Sequence, residues 1–311
     1  MAMYLKLHAS GASLPDFMTA AGSNLKSLPL IWLPFKNPII ALLLVVLVPV
    51  VVSIVIGALT FINRIRGVYF SILSEALAVI FSVILVGSQS YTGGSNGLTG
   101  FKNFMGVDLY QPAGKLTLFY VALIVLTLAY VISYQMINHK IGRILVAIRD
   151  SENRLRFTGY NTSIYKIFIY AFAAALSGIA GALYVCQVGI ITPTDVNVMF
   201  SIEMIIWVAI GGRATLLGPV IGALVVNEFK TIISNYFPSL WYYFIGGLFI
   251  LVILLFPSGF SGLKDLPHYL RTRKTLRQLG SASDTSSQEV VSNEPNTIAK
   301  PSQNFSKDIE K

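Results

Sequence analysis

Two carboxylates in this sequence lie within apolar stretches, where an ionised side chain is costly. Glu75 is deep inside the run "VYFSILSEALAVIF", and a charge in such surroundings must be solvated, paired or neutralised by a proton. Glu75 therefore indicates either a residue on the path of a polar solute or a structural carboxyl that bonds a neighbouring helix. Glu203 and Trp207 lie one helical turn apart in a half-length apolar segment, where they either line a vestibule or form an ordinary interfacial pair. Asn96, from a polar Gly-rich stretch, completes the predicted set of path residues.

The sequence lacks the motifs that carry catalysis or cofactor binding. It contains neither the Gly-x-x-x-x-Gly-Lys-Ser/Thr phosphate loop nor the His-Glu-x-x-His pair. Its single cysteine, Cys186, offers no disulfide or metal framework. No nucleophile–base pair supports an intramembrane enzyme. We therefore predict no catalytic residue, no metal site and no cofactor.

Composition indicates an integral membrane protein. Hydrophobic residues make up 54% of the chain and charged residues 12%, whereas soluble domains carry about 25% charged residues. Several apolar runs exceed the roughly 18 residues that mark a transmembrane helix. The net charge of +9 would suggest nucleic acid in a soluble protein. Here the Lys and Arg residues lie in short loops and in the tail, so they predict topology in lipid, with no nucleic-acid partner.

Apolar periodicity predicts an all-α, polytopic transmembrane bundle of about six to seven spans. The full-length spans are predicted at about 38–62, 68–88, 116–137, 165–190 and 240–257. Two shorter apolar pieces near 201–228 are separated by Gly211, Gly212 and Arg213. This break indicates either a discontinuous helix pair or two short helices with a plain turn. The resulting domains are an extramembrane segment at 1–36, a transmembrane domain at 37–262 and a basic, then polar and disordered, tail at 263–311.

The distribution of basic residues predicts the orientation of the bundle. Cytoplasmic loops carry the excess of Lys and Arg, which places Arg64, Arg66, the loop 142–166, Arg213 and the cluster 264–277 in the cytoplasm. The Gly-rich loop and residues 1–36 are then outside. Small residues at helical spacing predict close helix packing; they are Ala174, Gly178 and Gly181, followed by Gly218 and Gly222.

The most charged loop lies between two apolar runs. Its middle, residues 149–157, predicts a short amphipathic helix whose apolar side is formed by Ile148, Leu155 and Phe157. Such a helix is too short to cross a membrane. It either docks into a groove of a soluble partner or is a solvated basic loop.

Five stretches carry a resemblance to a known family. "GRILVAIRDSENRLRFTGYN" resembles the cytoplasmic coupling loop of LivM-type permeases, which are membrane subunits of ABC importers for branched-chain amino acids, amides and urea. "YTGGSNGLTGF" resembles the outer Gly-rich loop of that family. "QVGIITP", with the segment 201–227 and "RGVYFSILSEALA", is more similar to the urea branch, which usually has Gln at the position of Glu75. The resemblance covers about residues 1–263.

The resemblance implies a transport subunit of the cell inner membrane that performs no bond chemistry. A periplasmic solute-binding protein would deliver the solute, a second related permease would complete the path, and two ATP-binding subunits would drive it. The alternatives are a branched-chain amino acid permease and a stand-alone channel-like facilitator. The implied contacts to the ATPase are Arg149, Asp150, Ser151, Glu152, Arg154, Arg156 and Phe157. The family also leads us to expect two further helices before Met1, whereas the tail after about residue 280 has no counterpart in it.

Overall fold

The structure is a computed structural model, and it is described in two compact units, residues 1–206 and residues 207 onward. The described residues are 1–10, 14–19, 27–65, 67–101, 103–104, 107–109, 111–212, 215–237, 243–244, 246–247 and 250. Arg66, Arg213 and most of the span expected at 240–257 lie outside these residues, and so does the whole tail 263–311.

Helices dominate the described part of the chain. In order, the α-helices are α1 Ala2–Ala9, α2 Asp16–Thr19, α3 Pro38–Phe61, α4 Val68–Gly87, α5 Gln89–Thr92, α6 Pro112–Asn138, α7 Lys140–Phe157, α8 Thr162–Val188, α9 Val198–Gly211 and α10 Gly218–Tyr236. Three 3-10 helices cover Leu30–Lys36, Gly94–Asn96 and Pro193–Val196. The strands are short: β1 Leu98–Thr99, β2 Asn103–Phe104, β3 Val107–Asp108 and β4 Ile190–Ile191.

Four of the described helices are long and apolar enough to cross a membrane, namely α3, α4, α6 and α8. Their large apolar side chains, such as Leu43, Ile80 and Ile124, point outward and are exposed, as lipid-facing side chains must be. This confirms the predicted multi-pass helical bundle. Helix α9 is apolar but has only 14 residues, about 21 Å of helix, which is shorter than the roughly 30 Å hydrocarbon core.

Helices α3 and α8 form the most extensive helix pair of the first unit. A Cβ atom added to Gly178 would overlap the Val45 carbonyl oxygen and lie 3.0 Å from the Pro49 ring, so the two backbones touch there. At Gly57 the added Cβ would lie 3.2 Å from the Tyr170 ring. Gly178, one residue of the predicted small-residue stripe on α8, therefore approaches the backbone of α3 closely. A Cβ at Gly181 would meet nothing within 4 Å.

The second unit contains a tightly packed helix junction. A Cβ atom added to Gly218 would lie 2.6 Å from the carbonyl oxygens of Gly211 and Gly212, and one at Gly222 would overlap the Trp207 carbonyl oxygen. The end of α9 and the start of α10 are therefore in backbone contact, which confirms the half-length pair predicted near 201–228. Gly212 has a φ of 107°, a conformation that glycine adopts without the steric cost met by other residues.

Loops that are distant in sequence pair at one end of the first unit, called here the loop end. Strand β1 pairs antiparallel with β4, with Leu98 opposite Ile191. A Cβ atom at Gly97 would overlap the Ile191 carbonyl oxygen, so only glycine fits there. The Lys6 ammonium of α1 donates a 2.8 Å hydrogen bond to the Thr99 carbonyl oxygen. A small core forms around these elements and includes Leu5, Trp32 and Phe101.

Candidate functional site

The charged segment between α6 and α8 folds as α7, which is longer than the predicted helix and begins directly after α6. The two helices meet at His139, whose extended backbone turns the chain. A Cβ atom at Gly142 would overlap the Ile137 carbonyl oxygen, so α6 and the first turn of α7 are in backbone contact. Glycine at this position allows α7 to leave α6 at a sharp angle.

Helix α7 is interrupted at Ser151. This residue has φ −161° and ψ 93°, which is an extended conformation inside an otherwise helical segment. The interruption divides α7 into a first part, residues 140–150, that is joined to α6, and a second part, residues 152–157. It also changes the direction in which the following side chains point, because helical periodicity no longer continues across it.

The second part of α7 is bonded to the start of α8 by four side chains, which we call the Glu152 network. Glu152 Oε1 accepts hydrogen bonds from Arg156 Nη2 at 2.9 Å and Thr162 Oγ1 at 3.0 Å. Glu152 Oε2 pairs with Lys166 Nζ at 2.8 Å. Arg156 Nε in turn donates to Thr162 Oγ1 at 2.8 Å.

The Glu152 network is largely shielded from solvent. The Glu152 side chain is 12% exposed, the Arg156 and Lys166 side chains are each 25% exposed, and Thr162 is buried. A largely buried carboxylate with three donors is held more firmly than an exposed ion pair, because fewer water molecules compete for its hydrogen bonds.

The remaining predicted coupling residues point away from α8, and we call them the outward face: Arg149, Asp150, Arg154 and Phe157. Arg149 Nε and Asp150 Oδ1 pair at 3.1 Å, with 75% and 63% of the side chains exposed. Phe157 is 92% exposed, so this aromatic ring does not complete the helix's apolar side as expected. The half-buried apolar contacts come from Ile148 and Leu155.

Sequence reasoning missed the α8 partners of this site. Lys166 and Thr162 lie one helical turn apart at the start of α8, a spacing that places both on one face. That periodicity was the available signal, but it could not indicate that the face would meet Glu152. Ser163, which also went unnoticed, donates from Oγ to the Phe61 carbonyl oxygen at 3.0 Å and ties α8 to the end of α3.

A cavity of about 540 Å³ opens beside the Glu152 network, at the end of the unit where α3 ends and α8 begins. Its lining includes Arg64, Arg156, Tyr160, Asn161 and Ile167. Arg64 has a φ of 59°, an uncommon backbone conformation for a residue other than glycine. The cavity places a mixed basic and apolar surface next to the Glu152 network, whose Arg156 and Thr162 are among its lining residues.

The predicted path residues lie at different levels. Asn96 is exposed in the 3-10 helix Gly94–Asn96 at the loop end, near the end of α4. Glu75 lies twelve positions before the last residue of α4, or about 18 Å along the helix. The Glu75 Oε1 atom is buried and has no hydrogen-bond partner among the described residues. The structure therefore separates Asn96 from Glu75.

Glu203 and Trp207 both lie on α9, one turn apart, as predicted. Glu203 is buried, close enough to Tyr184 of α8 for an electrostatic interaction. The Trp207 indole Nε1 is buried without a hydrogen-bond partner in the part of the chain that the structure describes. No group of three His, Cys, Asp or Glu side chains gathers among those same residues.

A second, almost entirely apolar cavity of about 440 Å³ lies between α3, α6 and α8. Its lining includes Val45, Leu118, Val121, Leu183 and the free thiol of Cys186. None of the predicted path residues lines it. Its chemistry suits an apolar occupant rather than a polar solute.

Four membrane-length helices, with the amphipathic helix α7 between two of them, define this chain as a multi-pass membrane protein. Comparison with known families gives a match over residues 9–253. The chain belongs to the family described as branched-chain amino acid transport system / permease component.

Individual relatives are distant. The chain is 24% identical over 219 residues to the high-affinity branched-chain amino acid transport system permease protein LivM of Salmonella typhimurium, covering 63% of this chain and 51% of the relative. It is 24% identical over 243 residues to the probable LivM permease of Methanocaldococcus jannaschii, covering 72% and 70%.

A third relative carries a different name. The ribose import permease protein RbsC of Haemophilus influenzae is 23% identical over 185 residues, covering 57% of this chain and 56% of the relative. The chain thus spans about half the length of the first curated relatives that it matches. No solved structure matches it.

Proposed function

We propose that this chain is the permease subunit of an ABC importer and forms part of the path for a small polar solute. The observation that carries the proposal is α7: an amphipathic helix outside the span-length helices, with its outward face free for a partner. Membership in a permease family supports the same function. We assign the protein to the cell inner membrane, with α7 in the cytoplasm, because of the basic residues around it.

The outward face is the proposed contact for an ATP-binding subunit. Phe157 is an exposed aromatic side chain, and such side chains anchor protein interfaces when they insert into a pocket of the partner. The exposed Arg149, Asp150 and Arg154 add charge of both signs to the same segment, which suits a polar rim. Two ATP-binding subunits, one for this chain and one for a second related permease, complete the proposed assembly.

The proposed solute is urea or a related small amide. The stretches "QVGIITP" and "RGVYFSILSEALA", which are similar to the urea branch, support it. A branched-chain amino acid is the second candidate, since the LivM relatives carry that name. A periplasmic binding protein would deliver either solute to the loop end.

Glu75, Asn96, Glu203 and Trp207 remain the proposed path residues. The Glu75 Oε1 atom, which is buried and has no partner among the described residues, supports a role for Glu75 in transport. A membrane-embedded carboxylate oxygen without a partner costs free energy, and a function on the path would explain why it is kept. Trp207 Nε1 is likewise a buried hydrogen-bond donor without a partner among the described residues.

Uptake into proteoliposomes tests the proposal. The chain is purified with its ATP-binding subunits, second permease and binding protein, and urea, acetamide, leucine and ribose are offered in turn. We expect uptake of urea or acetamide that requires ATP and the binding protein. Uptake by this chain alone, without ATP, would instead establish the facilitator, for which the outward face of α7 has no use.

A further inference from the structure

The second part of α7 and the start of α8 are joined by side chains rather than by apolar packing alone. In the Glu152 network a single carboxylate accepts bonds from Arg156 on its own helix and from both Thr162 and Lys166 on α8. Thr162 is 1% exposed, so the contact is enclosed. The two segments therefore have a fixed mutual orientation, which the chain of residues 158–161 between them does not by itself supply.

Helix α8 is in turn joined to α3 along its length. Ser163 Oγ donates to the Phe61 carbonyl oxygen at one end, and Gly178 touches Val45 further along. Between them the Tyr170 ring meets Phe61 with ring centres 6.0 Å apart. Backbone contact and interlocked rings leave little room for sliding, so α3 and α8 form one rigid body.

The interruption of α7 lies between its two attachments. Residues 140–150 contact α6 through Gly142 and Ile137, and residues 152–157 are bonded to α8 by the Glu152 network. The extended backbone of Ser151 lies between these two parts. A change of a few backbone angles at one residue of this kind is how hinges act.

We infer that Glu152 is a positioning residue that converts movement of Arg154 and Phe157, the outward-face residues beyond the interruption, into movement of the α3–α8 pair, with Ser151 as the hinge between this pair and the part of α7 joined to α6. The inference rests on the proposed function, because it takes the force on the outward face to come from an ATP-binding subunit. Glu152 itself touches neither the solute nor the ATPase. Its role is to prevent the second part of α7 from moving without α8.

Removing the Glu152 carboxylate should uncouple ATP hydrolysis from solute transport. Glu152→Gln leaves two cations, Arg156 and Lys166, beside a neutral amide, so the ion pair to α8 is lost and the link is weakened to neutral hydrogen bonds, while the outward face is retained. Hydrolysis of ATP should continue, and the number of solute molecules moved per ATP should fall by about fivefold or more, the lower end of measured coupling between sites.

The experiment compares this ratio across matched variants of the complete transporter in proteoliposomes. Glu228→Gln, which removes an exposed carboxylate on α10, is the control for Glu152→Gln and should keep the wild-type ratio. The double substitution Thr162→Val and Lys166→Met removes both bonds from Glu152 to α8 and leaves Glu152 bonded to Arg156. Lys166→Arg alone retains the ion pair with Glu152, so its ratio should stay within about twofold of the wild type. The amount of assembled complex is measured for each variant.

The outcomes separate the inference from the proposed function. A lowered ratio in Glu152→Gln and in the Thr162→Val/Lys166→Met double variant, with normal ATPase binding and a normal ratio in Lys166→Arg, supports the inference. A wild-type ratio in the double variant overturns it even where Glu152→Gln fails to assemble. If the wild-type complex shows no ATP-dependent uptake of any solute, the proposed function fails, and the inference fails with it.

Discussion

Gly178 of α8 lies directly against the carbonyl oxygen of Val45 of α3, so close that no side chain fits between the two helices. Because lipid tails are as apolar as the helices themselves, packing contacts of this kind, rather than the hydrophobic effect, hold membrane helices together. The contact fixes the depth and rotation of α8 relative to α3. It follows that one atom added at residue 178 must separate them.

Gly178→Ala should therefore destabilise the bundle, and Gly181→Ala is its matched control. The added methyl group at 178 overlaps backbone, which cannot rotate away, whereas at 181 it meets nothing within 4 Å. We expect a loss of about 1–3 kcal/mol for Gly178→Ala, the usual cost of overpacking, and none for Gly181→Ala. Thermal unfolding of the detergent-solubilised protein measures both. Equal melting temperatures would contradict the close approach of α3 and α8.

Phe157→Ala should weaken binding of the ATP-binding subunit without affecting insertion into the membrane. Burying a phenylalanine side chain contributes about 1.5–3 kcal/mol, so the dissociation constant should rise by roughly tenfold or more. The measurement is titration of the purified ATPase onto the subunit in nanodiscs.

The control for Phe157 is Phe119→Ala, another exposed aromatic residue, which lies on α6. It should leave the affinity unchanged. If both substitutions have the same small effect, Phe157 is not an anchor of the interface.

Glu75→Gln should change solute uptake while assembly stays intact. The substitution keeps the size of the side chain and removes its charge, and a hydrogen bond to a charged group contributes about 1.5–3 kcal/mol. We expect a change of roughly tenfold in the KM for one of urea, acetamide or leucine. Normal uptake per assembled molecule for all of them would identify Glu75 as structural.

Gly97→Ala should disrupt the pairing at the loop end, and Gly100→Ala provides the comparison. Both glycines have positive φ, 67° and 79°, so alanine at either costs about 1–2 kcal/mol. At Gly97 the methyl group also overlaps the Ile191 carbonyl oxygen, whereas at Gly100 the nearest neighbour is Lys6 Nζ at 3.8 Å. The stability loss should be clearly larger for Gly97→Ala. Protease cleavage between residues 93 and 101 reports loss of the pairing, and equal cleavage in the two variants would refute it.

The spans and the short helix pair were predictable because length and hydropathy determine them locally. Pro38–Phe61 was expected at 38–62, and the break between α9 and α10 follows the glycines at 211 and 212. The α8 partners of Glu152 were not predictable, and neither was the interruption at Ser151, where no glycine or proline announces a break. Helical spacing places Glu152 on the same side as Ile148 and Leu155, but it does not show that Thr162 and Lys166 of α8 lie opposite it.

Long-range pairing also escaped sequence reasoning. The stretches "YTGGSNGLTGF" and "QVGIITP" were noticed separately, yet β1 and β4 join them. Strands of two residues carry no alternation of apolar and polar side chains from which pairing could be inferred. The glycine at 97 was visible in the sequence, but its reason, the backbone of Ile191 beside it, lies far along the chain.

The pairing of β1 with β4 has a consequence for biosynthesis. Ile191 is made roughly ninety residues after Leu98, so at about 5–20 residues per second the Gly-rich loop waits roughly 5 to 20 s for its partner. Helices α6, α7 and α8 are synthesised during that interval, before the strand that pairs with the Gly-rich loop. The nascent loop lacks the protection of β4 until the residues after α8 have been made. Synthesis of β4 is thus the earliest step at which the loop can gain its native pairing.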